Sequence, residues 1–258
     1  MRTSSIRSAL GDRVLARGQA EGQYEARLAR HAADVRAAQT LRFLVFNLEL
    51  NEGLEQSFAT CLDADPFDGV CDHLLIEDRR SGEVVGTYRL QTGNVAAANR
   101  GYYSAQEFDL GPLEPLRHEM IELGRACVHS QHRNRAVLGL LWKGIATYAR
   151  QRGGRYLIGC SSLSTQNPEV GARVYADLRP RFLIPEPWRV VPIPGWVCSL
   201  DRFSPSPEKV PKLLAAYLSL GAKICGPPAI DREFKTIDFL TFLDLDQLSP
   251  RTIERYLS

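Results

Sequence analysis

The chain predicts a mixed α/β fold, a sheet flanked by helices, and three observations carry that expectation. Residues 74–90 read as two β-prone runs folded about Ser81-Gly82, a turn dipeptide. Between Met120 and Leu178 a strand, a polar turn, a helix, a second strand and a second helix follow in order. At 258 residues, with 44% hydrophobic and 24% charged residues, the chain has the size and composition of one large soluble domain.

Residues 1 to about 22 are polar and weakly periodic, so they read as a loose arm ahead of one domain spanning 23–258. From 24 to 46 the spacing of Leu28, Val35, Ala38, Leu41 and Val45 predicts an amphipathic helix. An acidic stretch from 49 to 72 follows, with Asp65-Pro66-Phe67-Asp68-Gly69 as a loop. After the two strands, 93–111 is a connector, helical around 104–108. The strand over 120–129 runs into a polar turn at 130–135. The helix from about 136 to 152 carries Val137, Leu141, Ile145 and Tyr148 on one face and stops at Gly153-Gly154. A strand over 156–161 follows, and Asn167-Pro168-Glu169 opens a helix through Tyr175 and Leu178. Residues 180–208 are rich in proline, with room for one strand. A helix at about 207–220, the segment Gly226 to Asp231, the run from Phe239 to Leu245 and a helical C-terminal extension complete the order.

Several function classes are excluded. A net charge of +2 gives no field that calls for nucleic acid. The apolar runs are far too short to span a bilayer, and no apolar segment follows Arg2 and Arg7 to make a secretory signal. Six cysteines without a CxxC pair, and five histidines without ligand spacing, predict reduced core thiols, a cytoplasmic setting and no metal. There is no G-x-G-x-x-G, no P-loop lysine, and Gly159-Cys160-Ser161-Ser162 lacks the closing glycine of a nucleophile elbow.

The chemistry sits in two runs, Gly86-Thr87-Tyr88-Arg89-Leu90 and Ile121-Glu122-Leu123-Gly124-Arg125-Ala126-Cys127-Val128. Each sets charge inside an apolar strand, which is costly unless the charge is paired, so together they point to a site or to a structural ion network. Glu122 suits a general base; the bland alternative is an ion pair with Arg125 or Arg42. On an unbroken strand Glu122 and Arg125 face opposite sides, and Gly124 between them is where a β-bulge fits. Arg42, Arg89 and Arg125 are candidates for holding a carboxylate, one of them doing so while the others pair with Asp68, Asp72 and Glu122. Asp231 and Asp238 suit either a substrate ammonium or the ordering of a loop.

These blocks, with Leu41-Arg42-Phe43-x-Val45-Phe46, Asp72-His73-Leu74 and Gly226-x-Pro228-Ala229-x-Asp231-x-x-Phe234, resemble the GNAT acyltransferase superfamily over about residues 24–245. The resemblance is to its branch of ornithine N-acyltransferases that make lyso-ornithine lipid, and more distantly to acyl-homoserine-lactone synthases. It implies a mostly antiparallel central sheet with a bulged central strand, and transfer of a (3-hydroxy)acyl chain to the α-amine of ornithine. The donor it implies is an acyl-phosphopantetheine on acyl carrier protein, with no permanently bound cofactor. In this reading Glu122 and Arg125 are catalytic, and a backbone N–H around Ala126-Cys127-Val128 receives the thioester oxygen. Arg42, Asp72, Arg89 and Asp231 bind the amino acid, while Val128, Arg133, Asn134, Arg135 and Ser161 bind the donor.

The usual pyrophosphate loop is replaced by Gln131-x-x-Asn134-x-Ala136, a weaker cradle that suits a carrier protein's single phosphate; Asn134 tolerates the positive φ of such a turn. Tyr175 is near the place of a leaving-group tyrosine but fits helix packing better. An acylated product also suggests peripheral attachment to the inner membrane. There Arg2, Arg7, Arg13, Arg17, Arg27, Arg30 and Arg36 outnumber Asp12, Glu21, Glu25 and Asp34. Another amine acceptor, or a non-catalytic acyl- or membrane-binding module, are the competing readings.

Overall fold

The computed structural model describes residues 22–250, together with Ala16, Arg17, Thr252 and Glu254. Its strands are β1 (Ala16–Arg17), β2 (Tyr24–Leu28), β3 (Asp72–Asp78), β4 (Glu83–Thr92), β5 (Phe108–Asp109), β6 (Met120–Val128), β7 (Tyr156–Leu163), β8 (Val191–Pro192), β9 (Lys223–Ile224), β10 (Ala229–Asp231) and β11 (Thr236–Asp244). The helices are α1 (Ala32–Arg42), α2 (Gly93–Ala98), α3 (Arg135–Arg152), α4 (Pro168–Phe182) and α5 (Lys212–Ser219). One sheet runs β1-β2-β3-β4-β6-β7-β11-β10, with β9 beside β11, and every neighbouring pair is antiparallel except β6–β7. β5 and β8 form a separate two-stranded ladder.

The single helix expected over 24–46 divides in two. Tyr24 and Ala26 alternate inward against β3, so 24–28 is a strand, and α1 starts only after His31. Period-two burial wins there because β3 offers a ladder that an exposed helical turn would lack. Past Arg42 the helix widens into a π-helix, Phe43–Glu49. Of the expected arm, Ala16–Arg17 pairs with β2; Arg2, Arg7 and Arg13 lie outside the described residues, as does most of the C-terminal extension.

Alternation along the strands sorts the side chains to two faces. Leu74, Ile76, Leu90, Ile121 and Leu123 pack with Val137, Leu141 and Ile145 of α3, and Leu163, Ile237 and Phe239 pack with α4 and α5. The opposite face carries Arg89, Gln91, Glu122 and Cys127, and α1 lies over it. Asn134 caps α3 through its side-chain oxygen, and Gly153 ends it at φ 68°, the left-handed region that glycine enters freely.

Two irregularities in the central strands shape the interior. Thr87 pairs with Cys127 and Arg89 with Gly124, so Tyr88 faces two residues, Arg125 and Ala126. That is the expected bulge, one position later than Gly124, with Arg125 itself at φ 51°. The parallel strands β6 and β7 pair only from Met120↔Tyr156 to Glu122↔Ile158 and then diverge. A β-carbon on Gly159 would collide with the Leu123 carbonyl oxygen, so glycine permits the close approach at the point of divergence.

Candidate active site

A cavity of about 270 Å³ opens where β6 and β7 part. Leu123, Gly124, Arg125 and Ala126 line it from β6, and Cys160, Ser161 and Ser162 from β7. Arg89, Glu107, Glu122, Asp231 and Asp238 bring charge to the same wall.

Beside it lies a closed ion network. Arg42, fully buried, pairs with Asp63 at 2.8 Å and grips Asp68 with both terminal nitrogens at 3.0 and 2.6 Å. Arg89 donates to both oxygens of Asp65 at 2.7 Å and to Asp68 at 3.0 Å. Arg125 reaches Asp65 at 3.0 Å and Asp63 at 3.3 Å, and its guanidinium lies over the rings of Tyr103 and Phe234 at 4.8 and 4.3 Å. The local sequence holds the acids in place: Asp65 caps the turn Pro66–Gly69 by accepting from the Phe67 amide, and Asp68 accepts from the Asp65 amide. Burial alone would raise Asp68, but hydrogen bonds and charge from Arg42, with Arg89, hold it well below the carboxylate range. Asp65 is likewise lowered, with the charges of Arg89 and Arg125 outweighing burial.

Glu122 pairs with none of the arginines. Its carboxylate accepts from the Tyr103 amide at 2.7 Å, the Ser104 amide at 2.8 Å and the Ser104 hydroxyl at 2.6 Å. Burial raises its pKa, and these three donors with the Arg89 charge offset part of the rise. A second acidic group has no such balance. Glu107, Asp231 and Asp238, all buried, place carboxylate oxygens within 4.8 Å of one another. Glu107 Oε2 and Asp238 Oδ1 lack hydrogen-bond partners. Burial, then the charges of Asp238 and Asp231, push Glu107 up to about 10, and burial with Asp231 raises Asp238 to about 6. Asp231 Oδ1 accepts from the Glu233 and Phe234 amides, so it also orders that loop.

Of the residues singled out from sequence, Glu122, Arg125, Arg89, Asp231 and Ser161 meet at the cavity. Arg42 does not: it is sealed beneath the wall by Asp63 and Asp68 and cannot touch an amino acid. Asp72 lies away from the cavity, held by Tyr148 and Arg152. Cys127 turns its thiol into a patch with Leu41 and Val45, and burial pushes that thiol up, so only its backbone remains available. Val128 accepts from Arg133 through its carbonyl, and Arg133 is gripped by Glu49. Asn134 sits at φ −123° and does not make a positive-φ turn; its side-chain oxygen takes the Ala136 and Val137 amides. Arg135 is the exposed first residue of α3. Tyr175 packs in the apolar cluster under α4. Asp63, Asp65 and Glu107 were not foreseen; the cue for Asp65 was Asp-Pro, which opens a helical turn.

Comparisons with known proteins show the family and the fold. The model of the Acetyltransferase (GNAT) domain matches residues 41–143. The chain is 34% identical to an L-ornithine N(alpha)-acyltransferase of Agrobacterium fabrum, over 91% of this chain and 85% of that protein. It is also 34% identical to the enzyme of the same name from Brucella abortus, covering 91% and 89%. The chain belongs to the L-ornithine N(alpha)-acyltransferase family. It is thus an acyltransferase on a GNAT fold, and none of its described helices is long and apolar enough to cross a membrane. Among solved structures it resembles the AHL synthase LasI, with a TM-score of 0.52 at 12% identity over 92% of this chain and 97% of that one. It also resembles FeeM, an N-acyl amino acid synthase from uncultured soil microbes, with a TM-score of 0.52 at 13% identity, covering 89% and 94%. At those identities the likeness shows the fold alone.

Proposed function

We propose that this acyltransferase moves a (3-hydroxy)acyl chain from acyl carrier protein to the α-amine of L-ornithine, giving lyso-ornithine lipid. The observation that carries the reading is Glu122, a fixed and raised carboxylate on the cavity wall where β6 and β7 part. The ornithine acceptor follows from the relatives' shared name.

The donor arm enters between the diverging strands and sets its thioester beside the Arg125–Ala126 bulge. A backbone N–H there donates to the carbonyl oxygen as it gains charge, which is worth about 3 kcal/mol in the transition state. Glu122, directly or through one water, takes the proton that the ammonium must shed, and a raised carboxylate is better matched to that task near neutral pH. The amine then attacks the thioester carbon, the C–N bond forms as the C–S bond breaks, and the second proton shed by the attacking nitrogen goes to the thiolate, which leaves as the free pantetheine thiol. Burial pushes both thiols on the wall upward, Cys71 to about 12 and Cys160 well beyond its ordinary value, which supports direct attack over a covalent enzyme intermediate.

The carrier-protein donor is supported at α3. Asn134 already occupies two of the amides that a pyrophosphate would use, leaving a smaller anion site near Arg133 and Arg135. For release, the segment that lines the cavity with Phe46 and Leu50 also exposes Leu44, Leu48 and Leu50, with Phe58 nearby in sequence, which suits peripheral contact with a membrane. Arg27 does not add to that surface, being tied to Asp34 and Glu77.

Purified protein supplied with acyl carrier protein thioester and ornithine tests the reading. Glu122→Gln lowers kcat at least ~10²-fold with the fold retained; near-native turnover removes the base assignment. Arg133→Glu with Arg135→Glu raises KM for the carrier-bound donor, and equal use of acyl-CoA, indifferent to these changes, removes the carrier protein.

A further inference from the structure

The charges at the cavity do not cancel locally. Arg89 and Arg125 are matched by Asp65, Asp68 and Asp63, with Arg42 completing three cations against three acids. Glu107, Asp231 and Asp238 form no ion pair with any cation among the described residues, although Arg125 is near enough for its charge to lower Glu107. Asp238 is eased by Ser162, Thr236 and the Glu107 carboxyl, but Glu107 Oε2 and Asp238 Oδ1 still lack a donor in bonding geometry, on side chains 1% and 3% exposed, and all three acids line the cavity. A buried acceptor left unsatisfied is costly, so such oxygens in a cavity wall mark a donor supplied from outside.

We propose that Glu107, Asp231 and Asp238 form the subsite for the side-chain ammonium of the amino-acid acceptor, and that this subsite sets both the charge and the length of the side chain accepted. The proposal rests on the acceptor reading given above and assigns what that reading leaves open, namely how a diamino acid is distinguished from a neutral one. An ammonium donating three hydrogen bonds of about 2.8 Å along tetrahedral directions spreads its acceptors about 4.6 Å apart. The three carboxylates offer one oxygen each within 4.8 Å of one another. The ammonium can take the place of the proton held on Glu107, one positive charge for another, while supplying the donors that the unpartnered oxygens lack.

The spacing along the sheet agrees with ornithine. Glu122 stands opposite Ile158, and Cys160, two residues further along β7 on the same side, places its sulfur 3.9 Å from Glu107. Two residues of strand advance about 6.6 Å. The α- and δ-nitrogens of ornithine are five bonds apart, about 6 Å when extended. Along the strand direction, an extended ornithine with its α-amine beside Glu122 spans about the advance from Ile158 to Cys160, whose sulfur faces Glu107. Shorter 2,4-diaminobutyrate falls short of that advance, and lysine matches it only with its chain folded.

Two readouts test this on the full chain. In thermal unfolding without donor, ornithine raises Tm and norvaline, which lacks the δ-amine, does not; Asp238→Asn and Glu107→Gln each abolish the shift. In acyl transfer, ornithine exceeds norvaline by at least ~10² in kcat/KM, as for a site built around a substrate N–H, with lysine and 2,4-diaminobutyrate between them. Both variants erase the preference, chiefly through KM. Equal use of norvaline, or an ornithine shift unchanged in both variants, overturns the subsite. So does a Tm shift from Mg²⁺ or Ca²⁺ alone that Asp238→Asn removes, because the cluster is then a metal site. Absence of all acyl transfer beside an intact ornithine shift removes the reaction and keeps the subsite; intact transfer without the shift does the reverse.

Discussion

Two groups of buried acids lie by the same cavity and differ in one respect. Asp63, Asp65 and Asp68 are each met by arginine, and Asp65 and Asp68 sit below the ordinary carboxylate range as a result. Glu107 and Asp238 form no ion pair with an arginine, the charge of Arg125 reaching Glu107 only from a distance, and they sit above it. The difference teaches what each group is for. A set of charges that closes on itself fixes geometry, here the walls that Arg89 and Arg125 present. A set left open stores a demand that a ligand can meet.

The sharpest way to break that contrast is to remove charge from each side in turn. Arg42→Met leaves Asp63 with Arg125 and Asp68 with Arg89 as the sole arginine partner of each, and the expected loss is about 3–5 kcal/mol in urea unfolding at pH 7. A loss below about 1 kcal/mol would mean the network is not closed.

Glu107→Gln should act in the opposite direction. Because the folded protein raises Glu107 to about 10, it keeps a proton there that the unfolded chain releases near pH 4. That linkage favours folding fully below the unfolded value and is lost as pH rises toward the folded one. The neutral amide escapes that loss, so the variant without substrate gains about 1–2 kcal/mol at pH 8 and nothing near pH 4. A destabilised variant at pH 8 would show that Glu107 is already partnered.

Asp68 supplies the mirror test. Its lowered value means stability that is present above the ordinary range near pH 4 and fades as pH falls below it. Acid titration of Tm should therefore show a steeper fall below pH 4 in the native chain than in Asp68→Asn. The smallest effect belongs to Asp72, whose partner Arg152 shares its exposed position. Asp72→Asn should cost less than about 1 kcal/mol and leave kcat/KM unchanged.

What the sequence made legible was local. The course of β6, α3 and β7 followed from alternation, a 3.6-residue period and the Gly153 stop, and each survives in the structure. Glu122 stood out because a carboxylate inside an apolar strand needs a reason. The partners of the arginines were hidden because Asp63 and Asp65 lie in irregular chain, where no periodicity says which way a side chain turns. Asp72 misled for the opposite reason: its nearness to the strand start suggested the site, but register sets it opposite Leu90, on the face of the sheet that α3 covers and away from Arg89 and Glu122, beside Tyr148 and Arg152. Glu107 was invisible, since nothing in 104–108 announces that β11 will lie against it.

Along β6 Arg125 has no rung of its own, because Tyr88 serves both it and Ala126. A strand one residue shorter would match β4 rung for rung and still turn Glu122 and Cys127 to the same side. As architecture, then, position 125 is surplus: the ladder would close more regularly without it, and without a non-glycine residue at φ 51°. What such a deletion would take away is a guanidinium between Tyr103 and Phe234 and a backbone that bows toward the cavity. The strand is one residue too long for a sheet and the right length for an enzyme.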